Sequence, residues 1–571
     1  MNKKSWLVSL VVVALLSACG GGGGTPGACS GSAAVCSGST NTASNPPASA
    51  TAPEASDTAP PPMSASVEKQ CEAPRPANTV DPLSGRLYGD TQGSLTLEKQ
   101  WIRAYVNETY LWFDEVAPVR AASYVVGATV PFISPSTNAV GSMALANNFD
   151  VVDAYFNSQR STANTASGKP KDQFHFTYRS SEWAAMAGAG ESLGFGFEVA
   201  LVSATPPRKA VVAFTAPGST AAQNGIARGA QFVSVNGVDV ASGSDTATLN
   251  EALFSPVAGK SYVFQVLDIG SAVARTVTMT AATVTSVPVQ NVGTLPAPNA
   301  SVGYMLFNDH IATAEAQLVA AVNQLKAANS GAGVSDLVLD LRYNGGGYLD
   351  IASELAYMIA GPTATSGKVF EKLTFNSKNP FGLSDADKTT PFHSTTQGFS
   401  LASGQSLPQL GLSRVFVLTG SGTCSASEAI INGLRGVGVT VIQVGGTTCG
   451  KPYGFFAQDN CSTTYFTIQF KGVNEVGYGD YADGFVPAGS NAAANSLPGC
   501  AVADDFTKAL GNPAEGRLAA ALQYRANGTC PAPLASSSAT LAGLVSLNKG
   551  ADPALRRNAF QQNRIYRPAG H

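Results

Sequence analysis

The sequence predicts an α/β fold assembled from several parts, on three observations. From about Ala300 to Arg525, short strand-like apolar runs alternate with helix-length amphipathic ones, as in a layered α/β domain. From Gly190 to Pro288 the apolar period drops to two, the mark of half-buried strands. Between Cys71 and Gln173 it lengthens to a helical period. A chain of 571 residues has room for two or three such domains. Only 13% of residues are charged, and 35 Lys+Arg against 38 Asp+Glu leave a net charge of −3. That balance excludes the basic stripe of a nucleic-acid binder and the charge runs of a long coiled coil. Four histidines without an HExxH motif, and no GxxxxGK[ST] loop, lead us to expect neither a metal nor a nucleotide cofactor.

Residues 1–18 read as an export signal, with Lys3 and Lys4 ahead of an apolar Trp6–Leu16 segment. That segment is too short to cross a bilayer, which needs about 20 helical residues. Leu16-Ser17-Ala18-Cys19 resembles the bacterial lipoprotein box, which implies cleavage before Cys19 and diacylation of its thiol. Gly20 in place of Asp implies sorting to the outer membrane, facing the periplasm or the cell surface. Residues 19–70 form a Gly/Ser/Thr/Ala/Pro tether with too few large apolar side chains to offset ordering entropy, and 531–571 form a C-terminal tail. Of nine cysteines, eight remain after Cys19, an even number for an oxidising compartment. Cys449 and Cys461 flank an expected hairpin, Cys500 and Cys530 flank a helical stretch, and Cys29 lies close to Cys36; each pair is a candidate disulfide, with other connectivities left open. Cys71 and Cys424 are left unassigned.

Within 71–180, helical spacing covers Leu97–Trp112 and Ala144–Phe156, and Tyr110–Phe113 reads as core. In 190–288, the alternating Gly194-Phe195-Gly196-Phe197-Glu198-Val199 opens a series of strands. It continues through Ala210–Thr215, a small-residue helix at Ser219–Asn224, a hairpin over 232–240 turning at Asn236-Gly237, a short helix near Leu249–Leu253 and a strand at Ser261–Leu267. This string resembles a PDZ domain of the bacterial protease type. The resemblance implies that Gly194, Phe195, Gly196 and Phe197 form a loop whose N–H groups receive a peptide C-terminus, while the peptide adds as a strand. Ala230 departs from the Asp usual there.

In 300–530 we expect strands at Val302–Phe307, Leu337–Arg342, Arg414–Thr419 and Thr440–Val444, and helices at Ile311–Ala328, Asp350–Ile359 and Ser427–Leu434. A hairpin from Tyr465–Phe470 follows Lys451. Three segments here could carry chemistry. Asp340-Leu341-Arg342-Tyr343-Asn344-Gly345-Gly346-Gly347 takes a buried strand into glycines whose N–H groups suit an anion. Thr423-Cys424-Ser425-Ala426-Ser427-Glu428 sets a serine where a helix opens, near its positive end. Thr447-Thr448-Cys449-Gly450-Lys451 delivers a lysine, which serves as a general base once desolvated.

In this order, behind a PDZ-like stretch, the three resemble the carboxy-terminal processing (tail-specific) serine peptidases over residues 95–525. The resemblance implies a crotonase/Clp-protease-like α/β core with the PDZ domain inserted and no cofactor. It makes Ser425 the nucleophile and Lys451 the general base. The N–H groups of Ala426 and of Gly345 or Gly346 would form the oxyanion hole. Substrates would be proteins or peptides with free C-termini. Lys451 stands one position later than the family spacing, Gly436 replaces an Asp, and Phe455 replaces a Gln that orients the lysine. Thr448, Gln458 and Glu428 are candidate supports, and Phe455 with Phe456 would wall the amine. Two other readings are a peptide-binding lipoprotein on an inactive core, and an esterase using Ser192 of Gly190-Glu191-Ser192-Leu193-Gly194, which matches the GxSxG elbow but lacks a following helix. Nothing places His175 or His310 beside Ser425, and neither is expected to act in catalysis.

Overall fold

The structure is a computed structural model that describes residues 55–203, 205–487, 493–532 and 564–565. The expected signal, Cys19, residues 19–54 of the tether with Cys29 and Cys36, and most of the tail lie outside the described residues; the last part of the expected tether, 55–70, is folded instead, because Val67 is buried against the N-terminal core and Gln70 pairs with Thr91.

A six-stranded sheet organises the C-terminal part, in the order Val289–Thr294, Val302–Phe307, Asp336–Asp340, Arg414–Thr419, Thr440–Gly445 and Gly499–Ala501. The first strand is antiparallel to its neighbour and the remaining pairs are parallel. Every residue of Val302–Phe307 and Asp336–Asp340 is buried, because both faces of the sheet are covered. On one face Met305, Phe307, Leu337, Leu339, Val415 and Val417 pack against the helices Ala314–Ala327, Leu349–Ala360 and Ala426–Gly436. On the other, Val302, Tyr304, Leu306, Val338, Phe416 and Leu418 meet Leu518 and Ala521 of Gly516–Asn527.

Residues 190–288 form a second sheet with its own core, ordered Arg275–Thr280, Ser261–Leu267, Gln231–Val235, Lys209–Thr215 and Phe197–Ser203. Asn236 and Gly237 turn the hairpin with φ of 49° and 82°, the left-handed pair that an Asn-Gly turn supplies. Phe197–Ser203 is an edge strand of this sheet, near the helix Thr246–Phe254.

The N-terminal part departs from the helical expectation. Helices do form at Leu95–Thr109 and Asn148–Ser158, but Thr129–Ile133 and Val140–Ala144 pair as an antiparallel hairpin. Glycine, proline and β-branched residues favour strand and turn over 127–144. The second helix then starts where the Asn147 side chain accepts the Asp150 N–H. Phe176–Arg179 pairs with Thr463–Phe466, so the N-terminal part shares a sheet and a core with the C-terminal part.

Three disulfides close the described part: Cys71–Cys461, Cys424–Cys449 and Cys500–Cys530. Only Cys500–Cys530 matches the expectation for the described cysteines. Cys449 does not pair with Cys461, because the hairpin is shorter than 449–461. It runs from Gln458–Asn460 to Thr463–Phe466 with Cys461 at its turn, facing Cys71, while Cys449 precedes it and faces Cys424.

Candidate active site

The strand Arg414–Thr419 ends in a tight turn, and Ser425 is the residue before the helix Ala426–Gly436. Its backbone sits at φ 60°, ψ −113°, sparsely populated for a residue with a Cβ and costing about 1–3 kcal/mol. Neighbouring bonds over-determine that geometry. Thr423 Oγ1 donates to Leu341 O at 2.8 Å, Cys424 N to Asn344 O at 3.1 Å, and the Cys424–Cys449 bridge ties the turn to the next loop.

Glu428 joins the two loops. Its buried carboxylate accepts the N–H of Ser425 at 2.9 Å, of Gly450 at 2.9 Å and of Lys451 at 2.8 Å, and the hydroxyl of Thr448. Burial pushes this carboxyl above its ordinary range against the pull of those donors. One side chain thus fixes the backbone at both Ser425 and Lys451. Gly450 permits it at φ +89°, where a Cβ would meet Ala482 O at 2.2 Å. Ser425 and Lys451 are both fully buried.

The Lys451 ammonium lies 4.3 Å from the ring centre of Phe174 and 4.4 Å from that of Phe455. Removal from water disfavours its charge and the ring faces favour it, two opposed effects on one amine. Phe455 therefore walls the amine as expected. Phe456 does not; it packs with Phe375 and Phe381 in the core under the sheet. Phe174 takes that place, and no local signal announced it, since it lies far away in sequence. Thr448 supports Glu428, while the Gln458 amide donates to Asp459 O in the hairpin.

The glycine loop packs against the serine turn. Asn344 Nδ2 donates to Phe307 O at 2.9 Å, and Asn344 Oδ1 accepts from Gly346 N and bonds His310 Nδ1, both at 3.0 Å. The Gly346 N–H is thereby taken. Those of Gly345 and Ala426 make no hydrogen bond among the described residues and are the available donors. His310 is buried beneath the loop, and burial pushes its pKa down to about 3, so it supports the glycines as a neutral ring. The sequence reading excludes His310 from catalysis and gives Asn344, which lies inside the motif, no role of its own.

Arg342 anchors the strand end, with its fully buried guanidinium on Asp340, Asp504 and Glu515. Cys424, Glu428 and Cys449 converge closely enough for a metal, but the disulfide occupies both sulfurs. Ser192 lies in a strand, Glu191–Gly194, paired with Ala282–Thr285, which is not the strand-to-helix elbow an esterase serine requires. In the 190–288 unit, Gly196 adopts φ +87°, and a Cβ there would strike Ser219 at 2.1 Å. A cavity of about 240 Å³ runs from Gly194–Val199 to Asp309, Tyr343 and Gly345.

Residues 301–457 match the family model of peptidase family S41, and this stretch is a serine-type peptidase domain, a hydrolase. A protein of Bacteroides fragilis NCTC 9343 described as an S41 protease aligns over 75% of this chain and 97% of its own, with a TM-score of 0.51 and 21% identity. The photosystem II D1 C-terminal processing protease aligns over 70% of this chain and 92% of its own, with a TM-score of 0.38 and 20% identity. No curated protein matches the chain. The first likeness shows a shared fold of mixed α and β content.

Proposed function

We propose that this chain, which carries an S41 peptidase domain, is a lipid-anchored serine endopeptidase acting through a Ser425–Lys451 dyad. The observation that carries the dyad is the Glu428 carboxylate, which holds the Ser425 and Lys451 N–H groups on one oxygen. In this reading neutral Lys451 takes the Ser425 Oγ proton as the oxygen attacks a peptide carbonyl. The N–H groups of Gly345 and Ala426 stabilise the resulting oxyanion, helped by the positive end of the Ala426–Gly436 helix. The lysine then protonates the leaving amine, and water releases the acyl group by the same route. The edge strand Phe197–Ser203 and the Gly194–Phe197 loop suit capture of an extended peptide by its C-terminal region, as in a PDZ domain. Cys19 would fix the enzyme to the outer membrane.

Purified wild-type protein should degrade an unfolded reporter, and Ser425→Ala should not. A fluorophosphonate should label Ser425 and leave Ser192 unmodified. Absence of both cleavage and labelling in wild type would identify a peptide-binding scaffold instead.

A further inference from the structure

Phe174 reaches Lys451 from outside the stretch that matches the peptidase family, which begins at residue 301. With Phe455 it sets two ring faces on one buried amine, 4.3 and 4.4 Å from the ring centres. A ring face is the negative part of the aromatic quadrupole, so it attracts the charged amine far more than the neutral one. The two rings are held differently. Phe455 follows Lys451 closely and packs against Phe176 and Phe466. Phe174 is clamped on both sides by buried polar groups.

Asp172 Oδ1 accepts the Phe174 N–H at 2.9 Å, and the Tyr110 hydroxyl donates to Asp172 Oδ2 at 2.6 Å. Arg160 donates to the Asp172 carbonyl at 2.7 Å. On the other side, the His175 ring nitrogens lie 2.9 Å from Phe156 O and 3.1 Å from the Thr467 hydroxyl. Asp172, Phe174, His175, Tyr110, Arg160 and Thr467 are all buried. Such a clamp fixes the distance and tilt of the ring, on which attraction to a cation depends and plain apolar packing does not.

We propose that Phe174 is a positioning residue of the peptidase, which acts through Lys451 by stabilising the ammonium that forms when the amine takes the Ser425 proton. The N-terminal part of the chain then supplies a piece of the active site. The inference rests on the dyad reading for its catalytic consequence, but not for the action of the ring on the amine. Titratable and charged groups around this pocket are Glu428, which accepts the Lys451 N–H, and Asp172, His175, Arg160 and Tyr110 around Phe174. Burial lowers His175, and Asp172, which burial acts to raise, is held below its ordinary range by His175 and Arg160, so both titrate well under an amine.

Two measurements on the full chain test this. Trifluorophenylalanine in place of Phe174 keeps the shape of the ring and removes most of its negative face. The acid limb of kcat/KM against pH should then move down by about 0.5–1.5 units, and monofluorophenylalanine should move it less. Separately, in a Ser425→Ala background with carbon-labelled lysine, the Lys451 ε-carbon resonance, assigned by its loss in Lys451→Arg, should titrate lower by the same amount. An unmoved lysine titration, or an unmoved acid limb in an active enzyme, overturns the inference. A lowered titration in a chain whose wild type hydrolyses nothing would sink the peptidase reading and leave the action of the ring on the amine standing.

Discussion

The 190–288 unit and the catalytic centre are built on opposite principles. In the former, Ser261–Leu267 alternates exposed and buried residues over one apolar core, with a backbone edge at Phe197–Ser203 and a glycine turn at Gly196. The latter buries Glu428, Asn344, His310, Arg342, Asp340, Glu515 and Ser425. Apolar packing tolerates substitution of similar volume, whereas a buried polar group that loses its partner retains its full desolvation cost. The difference locates fragility: the centre depends on particular partners, the 190–288 unit on pattern.

The largest effect is expected at Glu428. Glu428→Ala strips three buried N–H donors of their acceptor, at ~1–3 kcal/mol each. It should cut kcat/KM at least ~100-fold, at about 1.4 kcal/mol per decade, and lower Tm. A variant with normal turnover would show that the two loops hold themselves.

Next come the disulfides, which separate site from scaffold. Removing Cys424–Cys449, which spans 25 residues, or Cys500–Cys530, which spans 30, should each cost roughly 3–4 kcal/mol in denaturant titrations. Only the first should also lower kcat/KM, since only it ties the Ser425 turn to the Lys451 loop.

Acid should then distinguish the two regions. Folded His310 titrates near 3 rather than its ordinary 6.5, so below 6.5 the unfolded chain binds a proton that the folded one refuses. Its contribution is complete above 6.5 and is lost as pH falls toward 3. Burial acts to raise Asp504, yet Arg517, Arg342 and Arg228 hold it well below the carboxylate range, so its contribution fades at lower pH still. Among carboxylates of the 190–288 unit, Asp239, Asp245 and Glu251 are lowered chiefly by hydrogen bonds at the surface. Between pH 6.5 and 4, hydrogen exchange corrected for intrinsic rates should rise at Asn344–Gly347 and stay level at Ser261–Leu267.

How far the sequence revealed these regions follows from the same contrast. Ser261–Leu267, Val302–Phe307 and Arg414–Thr419 form strands with the bounds expected from apolar pattern, because pattern alone decides them. Ser425, Lys451 and the glycine loop were visible as motifs. Phe174 beside Lys451, His310 beneath Asn344 and the Cys71–Cys461 bridge were not, because their partners lie far off in the chain. The 129–144 hairpin was missed because its helical neighbours dominated the reading.

The smallest effect concerns the peptide loop. On the proposed reading that the Gly194–Phe197 stretch receives a peptide carboxylate, an apolar peptide with a free C-terminus should bind more tightly than its amidated form. Equal affinities in a titration would show that this loop is not a carboxylate site.

The dyad itself is tested most directly by comparing kcat/KM for an unfolded reporter among Ser425→Ala, Lys451→Ala, Lys451→Arg and the Ser425→Ala/Lys451→Ala double variant. Groups that act as a unit are not additive, and arginine stays protonated. All four should therefore fall to the same residual level, with the double variant no worse than either alanine single. Near-normal turnover by Lys451→Ala beside an inactive Ser425→Ala would contradict the account and place the general base elsewhere.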